Sequence, residues 1–460
     1  MSTDTQTPNR LYFAVWRWHF YAGLYVIPFL LMLAVTGFFM MLFTTYLPEY
    51  GDRLAVPAAD TALSIENQGK AALAAVPGAS GIVEYIAPYS PTNPALFEVA
   101  DGADGMIVAL NPYTGEVLRQ TVSGDTWNIF FETIHGTLMI GDLGDRLIEI
   151  ATSLGLLLVA TGLYLVWPRQ KGGTRAMFIP DLAAKGRAWW KSLHQTVGTW
   201  ISLVLVFFLI TGLAWAGIWG ERFVQAWSTF PAEKWDAVPL SDATHESLNA
   251  EGKKEVPWGL EKTPLPQSGS AAGVQLLPEG TVLDLDAMET IARSLGIEGR
   301  FRVYVPQEAT GVWTISQDSM SYDGASPTLD RTVHVDQFTG KVLADVRYAD
   351  YGVAAKAMAV GIALHEGQLG LWNFALNALF CLSVVFACVS GLVMWWKRRP
   401  SGVRLGAPPR PEVVPYAKGA ILITLALSLA FPVLGLTLLA IMALDMLVLS
   451  ALPPLKRALG

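Results

Sequence analysis

The sequence predicts a membrane α-helical bundle of four core transmembrane helices plus a C-terminal hairpin, about six helices in all, with two soluble α+β domains. Of the 460 residues, 52% are hydrophobic and only 15% are charged. Soluble proteins carry about 25% charged residues. The apolar residues are concentrated in long runs, and a pattern in the first half of the chain recurs in the second. These observations together favour a membrane protein built from an internal repeat.

Four apolar runs are long enough to cross a bilayer, which takes about 20 residues. They are residues 20–47, 147–167, 199–219 and 371–396. A fifth apolar region, residues 420–452, is interrupted by Pro432 and Gly435. It is too long for one span and short for two. We therefore interpret it as a tight hairpin of two short helices.

The distribution of charge predicts the orientation of the chain, because Lys and Arg gather on the cytoplasmic side of a membrane. Residues 168–191 and 397–418 each carry six basic residues and one acid, whereas residues 47–145 carry three basic residues and thirteen acids. We therefore expect a multi-pass protein of the bacterial inner membrane, with both termini cytoplasmic and two acidic domains in the periplasm. The net charge of −7 comes from those domains and argues against a nucleic-acid partner.

An internal repeat pairs histidines with hydroxyl–glycine dipeptides at matching distances. The pairs are His19 with Thr36, His194 with Thr211, His135 with Thr161, and His365 with Ser390. Their separations are 17, 17, 26 and 25 residues, and the first two pairs are offset by 175 residues. Each half therefore reads as helix, outer domain, helix. Two spans per half return the chain to the same side, which makes the halves parallel repeats.

The outer domains repeat as well. Residues 106–118 and 331–343 each predict a strand, a turn and a second strand. A helix candidate precedes each of them, at residues 64–76 and 285–295. Residues 231–278 are rich in Pro, Ser, Gly and charge, and predict an extended insertion. Each outer domain is thus expected to be a small α+β unit.

These predictions divide the chain into nine segments. They are the N-terminus with transmembrane helix 1 (1–47), the first outer domain (48–125), a histidine-bearing segment with helix 2 (126–168), a cytoplasmic loop (169–190), helix 3 (191–220), the second outer domain with its insertion (221–355), a histidine-bearing segment with helix 4 (356–397), a cytoplasmic linker (398–418) and the C-terminal hairpin (419–460).

Four of the six histidines occupy equivalent places in the repeat, and an ionisable side chain at membrane depth indicates function. Neutral imidazole is a common axial ligand of haem iron. His19 with His194 predicts one bis-histidine haem site near the cytoplasm, and His135 with His365 predicts another near the outer face. Two such b-type haems would form a one-electron path across the bilayer.

Simpler interpretations exist for these residues. A histidine flanked by tryptophans is also compatible with an interfacial anchor. The glycines that follow the hydroxyl residues favour close helix packing. Cys381 and Cys388 share a helical face and fit small buried hydrophobes. His245 and His334 lie in the outer domains, and the sequence assigns them no role.

Five segments resemble the PepSY-associated transmembrane helix family, also called iron-regulated membrane proteins. They are residues 16–23 (WRWHFYAG), 111–117 (NPYTGEV), 134–136 (IHG), 189–194 (WWKSLH) and 391–398 (GLVMWWKR). The resemblance implies PepSY-like outer domains and haem ligation by His19, His135, His194 and His365. Some members, the FoxB-type siderophore reductases, bind two b-type haems and reduce ferric siderophores to release Fe(II).

The resemblance favours a di-haem inner-membrane oxidoreductase whose substrate is a ferric siderophore and whose electron donor the sequence does not identify. Two other classes stay open at this point. One is a membrane-anchored PepSY module that binds or regulates a periplasmic partner such as a peptidase, without redox activity. The other is a transporter subunit that uses the interface between the repeats as a path.

Overall fold

The computed structural model describes residues 10–102, 105–168, 173–235, 237–249, 255–324, 326–399, 405–409, 418–449 and 451–452. The chain forms two units. The helical unit comprises Met1–Phe38, Thr133–Val224 and Leu376–Gly460, and the sheet unit comprises Phe39–Glu132 and Gln225–Ala375. Among the basic residues that predict the orientation, Arg169, Lys171, Arg404 and Arg410 lie outside the described residues.

The described residues contain eleven α-helices. They are α1 (Arg10–Thr45), α2 (Ile65–Ala75), α3 (Trp127–Thr137), α4 (Asp142–Val166), α5 (Arg175–Phe178), α6 (Arg187–Leu213), α7 (Leu285–Ser294), α8 (Val353–Glu366), α9 (Leu371–Arg398), α10 (Lys418–Ala430) and α11 (Pro432–Leu444). Four of them, α1, α4, α6 and α9, are long and apolar enough to cross a membrane. The chain is therefore a membrane protein, as the apolar runs predict.

The third spanning helix differs from the prediction, because α6 ends at Leu213 and not near Trp219. Carboxylates of α4 bind the backbone beyond this end. Asp145 accepts a hydrogen bond from the amide of Gly217 (3.1 Å), and the buried Glu149 accepts one from the amide of Trp219 (2.9 Å). Amides that are satisfied by side chains no longer require helical partners. These two acids therefore allow the helix to unwind at this point.

The C-terminal apolar region forms two short helices, as predicted. Helices α10 and α11 have 13 residues each, fewer than the roughly 20 that a span needs. Pro432 lies in the first turn of α11, where its missing N–H costs no hydrogen bond. The indole N–H of Trp219 donates to the carbonyl of Ala430 (2.8 Å) and fastens the turn of the hairpin to the helical unit.

The described residues of the sheet unit contain eleven strands, nine of which form one antiparallel sheet. The strands are β1 (Ile82–Ile86), β2 (Ala95–Val99), β3 (Met106–Leu110), β4 (Val117–Val122), β5 (Leu240–Thr244), β6 (Pro264–Pro266), β7 (Val274–Gln275), β8 (Arg302–Tyr304), β9 (Val312–Gln317), β10 (Arg331–Asp336) and β11 (Lys341–Arg347). Their order is β4-β3-β2-β1-β8-β9-β10-β11-β7, and β5 and β6 pair separately. Both predicted strand–turn–strand segments are confirmed, as β3–β4 and β10–β11.

The two halves of the repeat share this sheet, because β1 of the first half pairs directly with β8 of the second. Each half contributes one helix, and both predicted helices are present as α2 and α7. The carboxylate of Asp286, on α7, accepts hydrogen bonds from the first amides of α2, at Ile65 (2.7 Å) and Glu66 (3.2 Å). A carboxylate at a helix N-terminus stabilises the helix. The two halves are therefore joined in the helix layer as well as in the sheet.

A buried ion network lies at the junction of β1 and β8. The guanidinium of Arg302 is within 3.0 Å of carboxylates of Asp323 and Glu255, and within 3.3 Å of the carboxylate of Glu84 on β1. Arg302 is 5% exposed. A buried charge requires partners of this kind, since an unpaired charge in the interior is strongly destabilising.

Candidate functional site

His19 lies on α1 and is fixed by a hydroxyl on α4. Its Nδ1 is 3.0 Å from Oγ1 of Thr161. That hydroxyl has one proton, which it donates to the carbonyl of Leu157 in its own helix (2.7 Å). While the hydroxyl donates to that carbonyl, its oxygen can accept a hydrogen bond from Nδ1–H of His19.

His194 repeats this arrangement between α6 and α9. Its Nδ1 is 2.8 Å from Oγ of Ser390 and 3.0 Å from the carbonyl oxygen of Ala387. A carbonyl only accepts hydrogen bonds, and Ser390 also donates to the carbonyl of Ala387 (2.9 Å). Nδ1 of His194 is therefore protonated.

His135 lies at the end of α3 and shows the same arrangement a third time. Its Nδ1 is 2.8 Å from Oγ1 of Thr36 on α1. While the Thr36 hydroxyl donates to the carbonyl of Met32 (2.8 Å), its oxygen can accept a hydrogen bond from Nδ1–H of His135. Thr36 follows His19 by 17 residues, which is about 25 Å along a helix. The sites of His19 and His135 thus lie at two levels of the helical unit.

The proton on Nδ1 determines what each ring offers on its other nitrogen. A neutral imidazole with a protonated Nδ1 has its free lone pair on Nε2. Within the described part of the chain, Nε2 of His19 and Nε2 of His194 have no hydrogen-bond partner. Metal-ligating histidines are oriented in this way, with the far N–H bound to a polar group. The rings of His19 and His194 are oriented in the same way, with Nδ1 against a polar group of a neighbouring helix.

The glycine after each hydroxyl residue makes room for the imidazole. A Cβ atom added at Gly162 would lie 3.1 Å from Cε1 of His19, and one added at Gly37 would lie 3.3 Å from Cε1 of His135. The corresponding distance from Gly391 to His194 is 3.7 Å, an ordinary contact. These glycines allow close packing, as predicted, and the group they pack against is the histidine ring of a neighbouring helix.

A cavity of about 480 Å³ lies within the helical unit and is lined by both His19 and His194. Cofactor sites fall in the range of about 300 to 1,000 Å³. Gly23 and Gly198, each four residues after its histidine, also line the cavity, and no atom lies within 4 Å of a Cβ added at Gly198. Apolar walls are supplied by Leu24, Ile27, Leu158, Leu205 and Val384.

The cavity has the features that a haem requires: two imidazoles with free lone pairs, side-chain-free patches and apolar walls. Among the described residues, no group of three or more His, Cys, Asp or Glu side chains is arranged to hold a metal ion. A haem needs only two protein ligands for its iron, because the porphyrin supplies the other four. The residues of this cavity therefore fit a bis-histidine haem with ligands His19 and His194.

His365 lies at the end of α8 in the sheet unit, whereas His135 lies in the helical unit. Their pairing around a second haem stays a prediction from the repeat. Next to His365, Glu366 accepts a hydrogen bond from the hydroxyl of Tyr322 (2.9 Å). Burial raises the pKa of Glu366 to about 7. Gly367 ends the helix in the left-handed conformation, with φ of 78°.

Sequence reasoning missed the partners of the histidines. Thr36, Thr161 and Ser390 are visible in the repeat, but a conserved spacing within one chain does not say which helix faces which. The hydroxyl–glycine dipeptides were visible in the sequence, but their contact with a histidine of another helix was not. Glu149 was also missed, although an acid within an apolar run marks a special position.

The two histidines without a predicted role meet in the sheet unit. Nε2 of His245 is 2.9 Å from Nε2 of His334, and both residues are fully buried. His245 donates from Nδ1 to the carbonyl of Thr263 (2.7 Å), and Nδ1 of His334 is 3.0 Å from the hydroxyl of Thr314. Burial lowers the pKa of His245 to about 4, and burial together with the neighbouring His245 lowers the pKa of His334 well below its usual value. The pair is therefore neutral and joins the predicted insertion to β10.

The fold and the site together define a membrane protein whose described residues include four helices able to span a bilayer, a sheet unit, and histidines of the helical unit that contact hydroxyls of neighbouring helices. The family described as PepSY-associated TM region matches residues 16–398, and the chain belongs to this family. This confirms the family resemblance of the five sequence segments. No curated protein matches the chain significantly.

Proposed function

We propose that the protein is a di-haem membrane oxidoreductase that passes electrons across the bilayer and reduces ferric siderophores, releasing Fe(II). The observation that supports this most is the contact between Nδ1 and a hydroxyl of a neighbouring helix in His19, His135 and His194. When Nδ1 donates to that hydroxyl, the free lone pair of the ring is on Nε2. An interfacial anchor does not need that arrangement, and an iron ligand does.

In the site of His19 and His194, the chain supplies ligation, orientation and exclusion of water. Both imidazoles provide lone pairs, and Thr161 and Ser390 fix the planes of the two rings. The apolar walls keep water from the metal and lower the local dielectric constant, which tunes redox potential. When bound, a haem supplies one-electron transfer.

The second site is proposed with His135 and His365 as ligands, on the basis of the repeat and the family resemblance. The separation of about 25 Å between His19 and Thr36 along α1 supports two sites at different depths, since a hydrocarbon core is about 30 Å thick. In this proposal the site of His19 is near the cytoplasm, the site of His135 is near the periplasm, and the sheet unit is periplasmic.

The substrate is proposed from the family resemblance and from the chemistry of iron. Siderophores hold iron(III) with hard oxygen ligands, and reduction to the softer Fe(II) weakens that binding. Each siderophore-bound iron takes up one electron from the protein. An electron donor of unspecified class re-reduces the haems.

The first test is the absorption spectrum of the purified full-length chain. We expect a red preparation with a Soret band, a reduced b-type spectrum and two haems per chain. His19→Ala and His194→Ala should each remove one haem per chain, and His135→Ala and His365→Ala should each remove the other. Trp18→Phe, an exposed neighbour of His19, serves as the control and should keep both haems.

A colourless preparation from haem-replete cells would refute the redox proposal and favour the membrane-anchored module that binds a periplasmic partner. A spectrum that survives substitution of all four histidines would refute the ligand assignment alone. For the substrate, dithionite-reduced protein freed of reductant is mixed with a ferric siderophore and a ferrous chelator. We expect one Fe(II) per haem oxidised, and a reduced protein that stays reduced would exclude that siderophore as a substrate.

A further inference from the structure

Three basic side chains line the same cavity as His19 and His194. Arg187 and Lys191 lie in the first two turns of α6, and Arg398 lies in the last turn of α9. The cavity therefore combines an apolar body with a cationic rim.

This positive charge is not balanced by the protein. In the described part of the chain, none of Arg187, Lys191 and Arg398 forms an ion pair with an acid, and the charges of Arg187 and Arg398 repel each other. The first turn of α6 contains no acidic residue, and no side chain caps it. A helix N-terminus itself carries partial positive charge. The rim thus concentrates positive charge from three side chains and one helix end.

Arg398 is held in place although it lacks a carboxylate partner. Its guanidinium lies 4.9 Å from the ring centroid of Trp16 and 5.2 Å from that of Phe20. One of its terminal nitrogens donates to the carbonyl of Gly406 (2.6 Å), while its buried Nε has no hydrogen-bond partner. A guanidinium fixed in this way is prepared to receive a carboxylate without losing much conformational freedom.

A ligand that fits this cavity has a flat apolar body and an anionic edge. We infer that Arg187, Lys191 and Arg398 bind the two propionate carboxylates of the haem held by His19 and His194. This inference rests on the proposed function. The same cations also suit the phosphate of an anionic lipid, so the experiment must separate the two sources of negative charge.

The experiment compares haemin with haemin dimethyl ester, in which both carboxylates are neutral. Full-length protein with His135→Ala is produced under haem limitation, placed in zwitterionic nanodiscs and titrated with each porphyrin by its Soret band. A charge-assisted hydrogen bond typically contributes about tenfold or more in affinity. We expect protein with the wild-type rim to bind haemin at least tenfold more tightly than the ester. The variant R187Q/K191Q/R398Q should bind both porphyrins equally.

Arg399→Gln is the matched control, because it removes a neighbouring positive charge that lies over the ring of Trp396 and does not line the cavity. It should keep the full preference for haemin. Ester binding with an unchanged bis-histidine spectrum shows that each variant is folded. The inference is overturned if the triple variant keeps the preference, or if the wild type has none.

Repeating the titration in nanodiscs with anionic lipid identifies the competing source of charge. If the three residues bind lipid phosphates, anionic lipid should change haemin affinity in the wild type while the preference over the ester is absent, and this overturns the inference. If neither porphyrin gives the Soret band of a bis-histidine haem in any lipid, the proposed function itself fails. A bis-histidine band without a preference therefore refutes only the role of the rim.

Discussion

Replacing Thr161 by valine removes the hydroxyl that fixes His19 while keeping the shape of the side chain. In the variant, Nδ1 of His19 faces a methyl group and loses the hydroxyl at 3.0 Å, and only the backbone of Leu158 still holds the ring. The tautomer with its proton on Nε2 is then less disfavoured, and that tautomer has no lone pair on Nε2 for iron. The substitution therefore removes the support of the His19 ring and leaves His19 itself in place.

The expected magnitude follows from the lost contact. Removal of a group that supports a metal-ligating histidine lowers metal affinity about 10- to 100-fold, or about 1.4 to 2.8 kcal/mol. The cost of leaving a buried donor without an acceptor is about 1 to 3 kcal/mol, which agrees with that range. We expect Thr161→Val to release haem from the site of His19 and His194 at least tenfold more readily than the wild type.

The assay follows transfer of haem from the variant to an acceptor protein in excess, and low-temperature electron paramagnetic resonance reports the iron ligation. Thr161→Ser keeps the hydroxyl and should restore wild-type retention. Thr152→Val is the control on the same helix, because Thr152 is buried and bonds only the carbonyl of Ile148 (2.8 Å). Wild-type retention together with an unchanged resonance in Thr161→Val would refute the reasoning.

Three further predictions concern packing and charge. Gly162→Ala should disturb the bis-histidine spectrum, because its Cβ would lie 3.1 Å from the imidazole of His19. Gly391→Ala should leave the spectrum unchanged, because its Cβ would lie 3.7 Å from the imidazole of His194. Equal effects of the two substitutions would contradict this prediction. Because the folded state holds His245 and His334 neutral, the free energy of unfolding of the sheet unit should fall as pH falls from about 6.5 towards 4. In urea titrations, His245→Gln should reduce the slope of this free energy against pH by about 1.4 kcal/mol per pH unit. An unchanged slope would argue against a neutral pair. Arg302→Met removes the cation that lies among three carboxylates in the interior and should cost about 3 to 5 kcal/mol in the same titrations. A loss below about 1 kcal/mol would show that the network is dispensable.

The four spanning helices could be predicted from the sequence, because an apolar run of about 20 residues is typical of a transmembrane helix. The predicted ends of these helices were less accurate, because hydropathy marks the part of a helix that lies in the apolar layer and not the whole helix. Helix α1 begins at Arg10, ten residues before the predicted run, and α6 begins at Arg187, twelve before. The strand pairs β3–β4 and β10–β11 were also predictable, because each is a local hairpin with a turn rich in Asn, Asp, Thr and Gly.

Contacts between distant segments could not be predicted in the same way. The pairing of β1 with β8 joins residues about 220 positions apart, and any two apolar strands would satisfy the same pattern. The meeting of His245 with His334 depends on how the insertion folds back on the sheet. The repeat marks His19, His135, His194 and His365 as candidates, and their role as ligands stays a prediction; the hydroxyls that contact three of them could be found only from the arrangement of the helices.

The β1–β8 pairing makes the two halves of this gene interdependent. A fragment ending before β8 would leave β1 with a row of unbonded amide and carbonyl groups, and exposed edges of this kind recruit strands from other molecules. Such a fragment is expected to aggregate or to capture a foreign strand, even with its own hairpins intact. The first half of the sheet therefore depends on the second half to cover this edge.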